Sequence, residues 1–425
     1  MDDREAGVSS FGGMDRFLRT RLFARLDELR GGTMLVRDAL GERLLGRADG
    51  NAPVNVVLDV RSPAFYRQAA ANGSVGAGES YMQGDWHCDD LVGLVQLMVR
   101  NRELLDGVEG GLARLGAWAM KAAHALRRNT RDGSRRNIAA HYDLGNQLFR
   151  LFLDENLMYS SAIFAHADES LESASRRKLD RICEKLDLRP SDHLLEIGTG
   201  WGGMALHAAH RYGCRVTTTT ISREQHALAS ERIAAAGLSD RVTILLQDYR
   251  DLRGEYDKLV SIEMVEAIGH QYLDTYFERC SALLKPEGLA LIQAITIEDD
   301  RYEMALHSVD FIKRHVFPGS FIPCVTALAG AAARAGRLRL LNLEDFGPSY
   351  ATTLRHWRQR FFANIEQVRQ LGYDDRFIRM WEFYLCYCEG GFLERSISDV
   401  QLLLARGGNR REQFVPGSGI EANVG

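Results

Sequence analysis

The chain has no apolar run of 18 residues. That excludes a membrane-spanning helix and leaves any lipid contact peripheral. It has no CxxC pair. Its seven cysteines (Cys88, Cys183, Cys214, Cys280, Cys324, Cys386 and Cys388) are scattered and odd in number, which argues against a disulfide framework and fits a reduced, cytoplasmic setting. Neither sign of charge dominates: 53 Lys and Arg stand against 57 Asp and Glu, a formal net charge of −4, so nothing global points to nucleic acid. The opening MDDREAGVSS is acidic and polar, unlike a secretion signal. No cluster with metal-ligand spacing stands out. What is present is an ordinary globular composition, 45% hydrophobic and 26% charged, in 425 residues, enough for two or three domains.

The most informative stretch is Leu194-Leu-Glu-Ile-Gly-Thr-Gly-Trp-Gly-Gly203. An apolar run ends in an acid, breaks at Gly198, Gly200, Gly202 and Gly203, and resumes as the helix-forming Met204–His210. This reads as strand, glycine turn and helix, where backbone N–H groups can approach a ligand closely. A dinucleotide fold wants G-x-G-x-x-G with an acid about 20 residues later. Here the acid, Glu196, comes first, and the order E-x-G-x-G-x-G resembles motif I of class I S-adenosylmethionine methyltransferases. Glu196 at the strand end is placed to hold an amino group, with Thr199 and Trp201 in the turn.

On either side the chain changes character. Helical spacing runs from Asp15 to about Leu29, strands from Thr33 and Asn55, and Ser62-Pro63 opens a helix. The apolar helix Leu91–Val99 closes a small mixed domain, in which Asp85-Trp86-His87 reads as a turn with a packing tryptophan. Between Lys121 and Arg136 lie six basic residues and one acid. These make either an exposed linker or a surface that rests on anionic headgroups. The expected division is an accessory domain over 1–125, a basic linker over 126–137 and a catalytic domain over 138–425.

From Ile138 onward strand and helix periods alternate, as in an α/β fold with a seven-stranded Rossmann-like sheet. Strands are expected at 194–197, 215–219, 242–246, 258–262, 288–297, 337–343 and 400–405. The stretches 298–336 and 348–396 are too long for loops and are candidates for a helical substrate cover. After the second strand stand Thr220, Ser222 and Gln225, where many nucleotide folds carry a ribose-binding acid; Ser222 is equally a helix N-cap. Gln247-Asp248-Tyr249 follows the third strand, where an amide or acid can read adenine and a ring can stack on it.

Further motifs sharpen the resemblance. They are His141-Tyr-Asp-Leu-Gly-Asn-Gln-Leu-Phe, Met158-Tyr-Ser-Ser-Ala-Ile-Phe, Met264-Val-Glu-Ala-Ile-Gly, Ser349-Tyr-Ala-Thr-Thr-Leu and Cys388-Glu-Gly-Gly-Phe. With Leu194–Gly203 they make the chain similar to the cyclopropane fatty acid synthases, the family that includes the mycolic acid cyclopropane synthases and methyltransferases. Gly78-Glu-Ser-Tyr-Met-Gln-Gly-Asp-Trp resembles the accessory domain of the longer, phospholipid-acting members.

The resemblance implies a chemistry. A methyl from S-adenosylmethionine goes to a cis double bond in an unsaturated phospholipid acyl chain, and the resulting carbocation loses a proton as a cyclopropane ring closes. It implies bicarbonate as the base, among Ser161, Glu266, Gln293, the backbone at Ile295, and Tyr350. It implies Tyr159 and Ser160 at the methionine end of the cofactor, Cys388 in the site list, a homodimer, and peripheral contact with the inner face of the membrane. The chain departs from the family pattern at Ser161, where cysteine is usual, at Gln293, where histidine is usual, and at Ala267, where a histidine can follow the motif glutamate. Glutamine donates through its amide but does not titrate. Loss of the anion site would let the cation resolve without ring closure, to a methyl- or methylene-branched chain. A module that binds S-adenosylmethionine or lipid without activity is the reading from another class.

Overall fold

The computed structural model describes residues 11–106 and 144–411, so the basic stretch 121–136 and the motif residues His141–Asp143 lie outside the described residues. The chain divides into two compact units, neither of them contiguous in sequence. One gathers the N-terminal segment to residue 106 with Glu303–Gly319 and Ala351–Ile397. The other takes residue 144 to Tyr302, Ser320–Tyr350 and Ser398 onward. Much of the two stretches read as a cover for the catalytic domain therefore belongs to the first unit.

In the first unit, strands β1 (Gly32–Asp38), β2 (Gly41–Arg47), β3 (Val54–Val60) and β4 (Trp86–Cys88) form a sheet of order β2-β1-β3-β4. Alternate residues Met34 and Val36, and Val56, Leu58 and Val60, are buried on one face, the period-2 pattern of a half-buried strand. β2 has no such pattern. Its first four residues are exposed and it holds its place by antiparallel pairing along β1, so hydrophobic alternation does not reveal it. Trp86 does pack as the sequence suggests: it is 2% exposed and its indole N–H donates to the Ala77 carbonyl at 2.9 Å. It sits, however, in a short strand against β3 rather than in a turn.

Helices Leu91–Arg100 and Asp375–Leu393 pack closely where Gly390 faces Val95. A Cβ at Gly390 would stand 2.7 Å from Val95 Cβ and Cγ1.

In the second unit the strands are β5 (His193–Ile197), β6 (Arg215–Thr220), β7 (Val242–Leu246), β8 (Tyr256–Ile262), β9 (Leu284–Ile297), β10 (Arg339–Asp345) and β11 (Ile397–Ala405). Their bounds lie within a few residues of the expected ones, and they form one seven-stranded sheet, of order β10-β11-β9-β8-β5-β6-β7. β9-β8-β5-β6-β7 are parallel and β10 runs antiparallel to β11. The core under one face is continuous from Leu179, Ile182 and Leu186 through Leu194, Val216, Val260 and Leu291 to Leu403. The chain leaves β5 toward β6 and β7 on one side and returns to β8 and β9 on the other. The strand order reverses between β5 and β8, the place where open α/β sheets bind ligands.

Gly390→Ala tests the helix contact in the first unit. Overpacking outweighs the gain in helix propensity, and a net loss of about 1–2 kcal/mol, read as a lower thermal midpoint, is expected. An unchanged midpoint would show that the two helices yield.

Candidate active site

β5 ends at Ile197 and the chain turns through Gly198 (φ 103°), Gly200 (φ 52°) and Gly202 (φ 85°), conformations that favour glycine, before the helix Gly203–Tyr212. Gly203 is glycine for a different reason: a Cβ there would lie 2.6 Å from the Asn156 carbonyl and 2.6 Å from Met158 Sδ. The segment before Tyr159 thus lies directly over the turn. Arg232 fastens it, donating to the Trp201 carbonyl at 2.5 Å and the Asn156 carbonyl at 3.1 Å. Trp201 is buried against Phe149, whose ring also meets Tyr159, and its indole donates to Asn146 at 2.7 Å.

Glu196 sits one residue inside the end of β5 and is 3% exposed. Burial pushes its carboxyl up to about 8, against the pull of a hydrogen bond with Thr218 and the charge of Lys178. Its Oε2 is buried without a hydrogen-bond partner. An orphaned carboxyl oxygen beside a glycine turn, with open space at Gly200, is what the ammonium group of S-adenosylmethionine would satisfy, so these residues fit that cofactor. Thr199 is tied to Thr218 through their hydroxyls at 2.7 Å.

Other expected cofactor contacts are engaged within the chain. Ser222 caps the helix Arg223–Ala235, accepting from Gln225 N, and Thr220 Oγ1 donates to Gln225 Oε1 at 2.8 Å. The Gln247 amide donates to the Asp251 carbonyl at 2.8 Å. Asp248 is ion-paired with Arg250, and the Tyr249 ring lies edge-on to Tyr276. They stand at the carboxyl ends of β6 and β7 as expected, but these side chains mainly brace their own loops.

The second half of the site follows β8. Glu263 has φ 47°, in the left-handed region, a strain of about 1–3 kcal/mol for a residue with a side chain. That backbone turns its carboxylate into the sheet. Oε1 accepts from the Ser161 backbone N–H at 2.8 Å and from Gln293 Nε2 at 2.9 Å; Oε2 accepts from the Tyr350 hydroxyl at 2.8 Å. The Ser161 hydroxyl itself donates to the Ala162 carbonyl. Three donors onto two oxygens is the pattern of an ionised carboxylate. The next residue, Met264, faces the cofactor turn: a Cβ on Gly198 would be 3.3 Å from Met264 Cγ.

Two further acids share this interior. Gln293 Nε2 also donates to Asp399 Oδ2 at 2.9 Å, and Glu266 Oε1 accepts the Ile295 N–H at 2.6 Å. Burial first, and the Glu263 charge second, push Glu266 up to about 8 and Asp399 well above the usual carboxylate range. Both are pushed toward their neutral forms. Lys178 is fully buried, with Nζ 2.7 Å from Ser160 Oγ. Burial lowers its affinity for a proton, and the charges of Glu263, Asp154, Asp399 and Glu196 raise it.

Gln293 is held in turn by a file of donors that all point the same way. Lys185 Nζ donates to Gln401 Oε1 at 3.0 Å, and Gln401 Nε2 donates to Gln293 Oε1 at 3.2 Å. Lys185 is itself paired with Glu344, which also binds Arg181.

Residues 129–402 match the family described as mycolic acid cyclopropane synthetase. The chain belongs to that family. It is 36% identical over 407 residues to the tuberculostearic acid methyltransferase of Mycobacterium tuberculosis, covering 89% of this chain and 94% of the relative. It is 38% identical over 374 residues to the cyclopropane-fatty-acyl-phospholipid synthase of Escherichia coli K12, covering 87% and 93%. Among solved structures, the cyclopropane synthase MmaA2 of Mycobacterium tuberculosis aligns at 28% identity and a TM-score of 0.60, over 64% of this chain and 98% of that one. The mycolic acid cyclopropane synthase CmaA1, solved with SAH and CTAB, aligns at 29% identity and 0.60, also over 64% and 98%. As a member of this family the chain is an S-adenosylmethionine-dependent methyltransferase.

Four of the five positions assigned to bicarbonate, Ser161, Gln293, Tyr350 and Ile295, do present donors to one small region. Those donors are engaged by Glu263 and Glu266, two acids three residues apart, and the residues present do not fit a bound bicarbonate. Glu263, Asp399, Lys178 and Gln401 are absent from the sequence-based site. The available signals were slight: a second acid in Glu263-Met-Val-Glu266, an acid and an amide flanking Val400, and a lysine on the apolar stripe Leu171, Ala174, Lys178, Ile182. Cys388 belongs to the first unit, on the helix Asp375–Leu393, where burial and Asp310 push its thiol far up, so the nucleophilic thiolate is not the form present.

A raised carboxyl has a signature in stability. Glu266 is raised from 4.5 to about 8, so across that interval the folded chain holds a proton the unfolded chain releases. This contribution is complete below the unfolded value and is lost as pH rises toward about 8. Glu266→Gln is expected to flatten the fall in unfolding free energy between about pH 5 and 8, by up to ~1.4 kcal/mol per pH unit. Denaturant titrations across that range check it; identical slopes in both proteins would refute a protonated Glu266.

Proposed function

We propose that the chain transfers a one-carbon unit from S-adenosylmethionine to the cis double bond of an unsaturated phospholipid acyl chain and closes it to a cyclopropane. The observation that carries this reading is the buried carboxylate of Glu263, one residue from the residue that touches the cofactor turn. An alkene is a poor nucleophile, so the methyl donor must be held in line with it and away from water. S-adenosylmethionine, when bound, supplies an electrophilic methyl. Glu196 and the turn Gly198–Gly202 would hold the cofactor, together with Tyr159 and Ser160. Alkene attack leaves a cation whose charge the Tyr350 ring and the neighbouring carboxylate offset.

A second reading has its own support. A relative matching most of the chain is named a tuberculostearic acid methyltransferase, for methyl transfer rather than for ring formation. In that reading a hydride shift moves the cation along the chain, and proton loss leaves a methylene branch.

Label from methyl-labelled S-adenosylmethionine is expected to enter phospholipids with cis-unsaturated chains and not their saturated counterparts. Proton NMR of the product separates the readings, because upfield cyclopropyl signals require ring closure and vinylidene signals require branching. No label in lipid would remove both.

Reaching an acyl chain requires contact with the bilayer. We place the protein at the inner face of the membrane, with the N-terminal accessory region and the basic stretch Lys121–Arg136 as the surface for anionic headgroups. Changing Arg127, Arg128, Arg131, Arg135 and Arg136 to Gln is expected to weaken sedimentation with anionic vesicles, while binding of S-adenosylhomocysteine persists. Undiminished sedimentation would reduce the stretch to a linker.

A further inference from the structure

We infer that Glu263 is the base of the reaction, its side chain taking from within the protein the place and task of an external oxyanion. The inference rests on the methyl-transfer reading above.

Two independent observations carry it. The first is the donor set. The Ser161 N–H, the Gln293 amide and the Tyr350 hydroxyl converge at 2.8–2.9 Å on the two oxygens of one carboxylate. Donors on three sides hold a planar O–C–O group in one orientation, as they would hold a small carboxylate or carbonate-like anion. The fourth donor, the Ile295 N–H, is held by Glu266. The second observation is the backbone. Glu263 is a side-chain-bearing residue at φ 47°, where glycine is at ease. Strain of this kind persists where the surroundings over-determine it, and here they do so through the carboxylate. The neighbouring acids support the assignment: Glu266 and Asp399 are pushed toward their neutral forms, by burial first and by the Glu263 carboxylate second, and neither of them receives the three donors that converge on Glu263.

The step balances without any further reactant. The C–S bond breaks as the methyl carbon bonds to one alkene carbon, and the other becomes cationic. The Glu263 carboxylate takes one proton from the added carbon. The electron pair of that C–H bond forms the second C–C bond of the ring, or, after a hydride shift, the C=C bond of a methylene branch. Protonated Glu263 then returns the proton to water. Gln293 acts through Glu263 by positioning it.

Three measurements on the full-length protein test this. In buffer freed of carbon dioxide, wild-type transfer of label to unsaturated phospholipid vesicles is expected to proceed and to be indifferent to added bicarbonate; dependence on bicarbonate overturns the inference. Glu263→Gln is expected to lose at least about a hundredfold in turnover, with the affinity for S-adenosylhomocysteine retained. Retained turnover overturns it.

Glu263→Gly removes the carboxylate while relieving the backbone, so it is expected to fold at least as stably as the wild type and to leave the cradle open. ¹³C-bicarbonate should then show a broadened NMR signal with the variant and not with the wild type, and bicarbonate or formate should restore part of the turnover. No difference between the two proteins in that NMR measurement overturns the inference. If the wild type labels no lipid at all, the methyl-transfer reading falls. The ¹³C measurement still decides, by itself, whether Glu263 fills the anion's place.

Discussion

A carboxylate out of water must be surrounded by donors, and only one of several crowded acids can keep its charge. That constraint organises the interior of the second unit. Glu263 receives the three donors, Glu266 and Asp399 are pushed toward their neutral forms beside it, and Lys178 lies close enough to feel Glu263, Asp399 and Glu196 together. The same lysine links the carboxyl at the cofactor turn to the carboxylate after β8. A cationic cofactor at Glu196 would therefore bear on the charge balance around Glu263, with Lys178 as the shared partner.

The sheet makes this crowding possible. β5 and β8 are neighbours at the reversal in strand order, so the turns after them open side by side. Gln293 lies level with Ile262 across the β8–β9 ladder, and the Glu263 N–H closes that ladder on the Gln293 carbonyl at 2.9 Å. Residues far apart in sequence reach one carboxylate because parallel strands in register bring their ends together, and the helix beginning at Gly347 adds Tyr350.

Much of this was legible in the sequence. The apolar run into Glu196 and the spaced glycines announced a strand and its turn, and the alternation that follows gave a seven-stranded sheet. Ser161, Gln293 and Tyr350 belong to one motif-based set, and in the structure they meet at one carboxylate, with the Ile295 N–H on the neighbouring Glu266. What escaped was geometry that residue type does not encode. A glutamate after a strand reads as a surface acid unless its backbone enters the left-handed region, and Glu263 does. Lys178, Asp399 and Gln401 look like ordinary exposed polar residues in the sequence until their burial is known. β2 carries no hydrophobic alternation. The grouping of Glu303–Gly319 and Ala351–Ile397 with the N-terminal segment depends on long-range contacts that no local period records.

The file Lys185–Gln401–Gln293 has an implication for how this protein tolerates change over generations. An amide has a donor end and an acceptor end, so a chain of amides carries a sense of direction, and here a cation sets it. Reversing one amide would present a carbonyl to Glu263 and repel it. Lys185 keeps its orientation by pairing with Glu344, a partly exposed residue on β10 at the edge of the sheet. A position that looks free to drift is thus bound to the interior through three side chains. Its neutral replacements would be fewer than its exposure suggests.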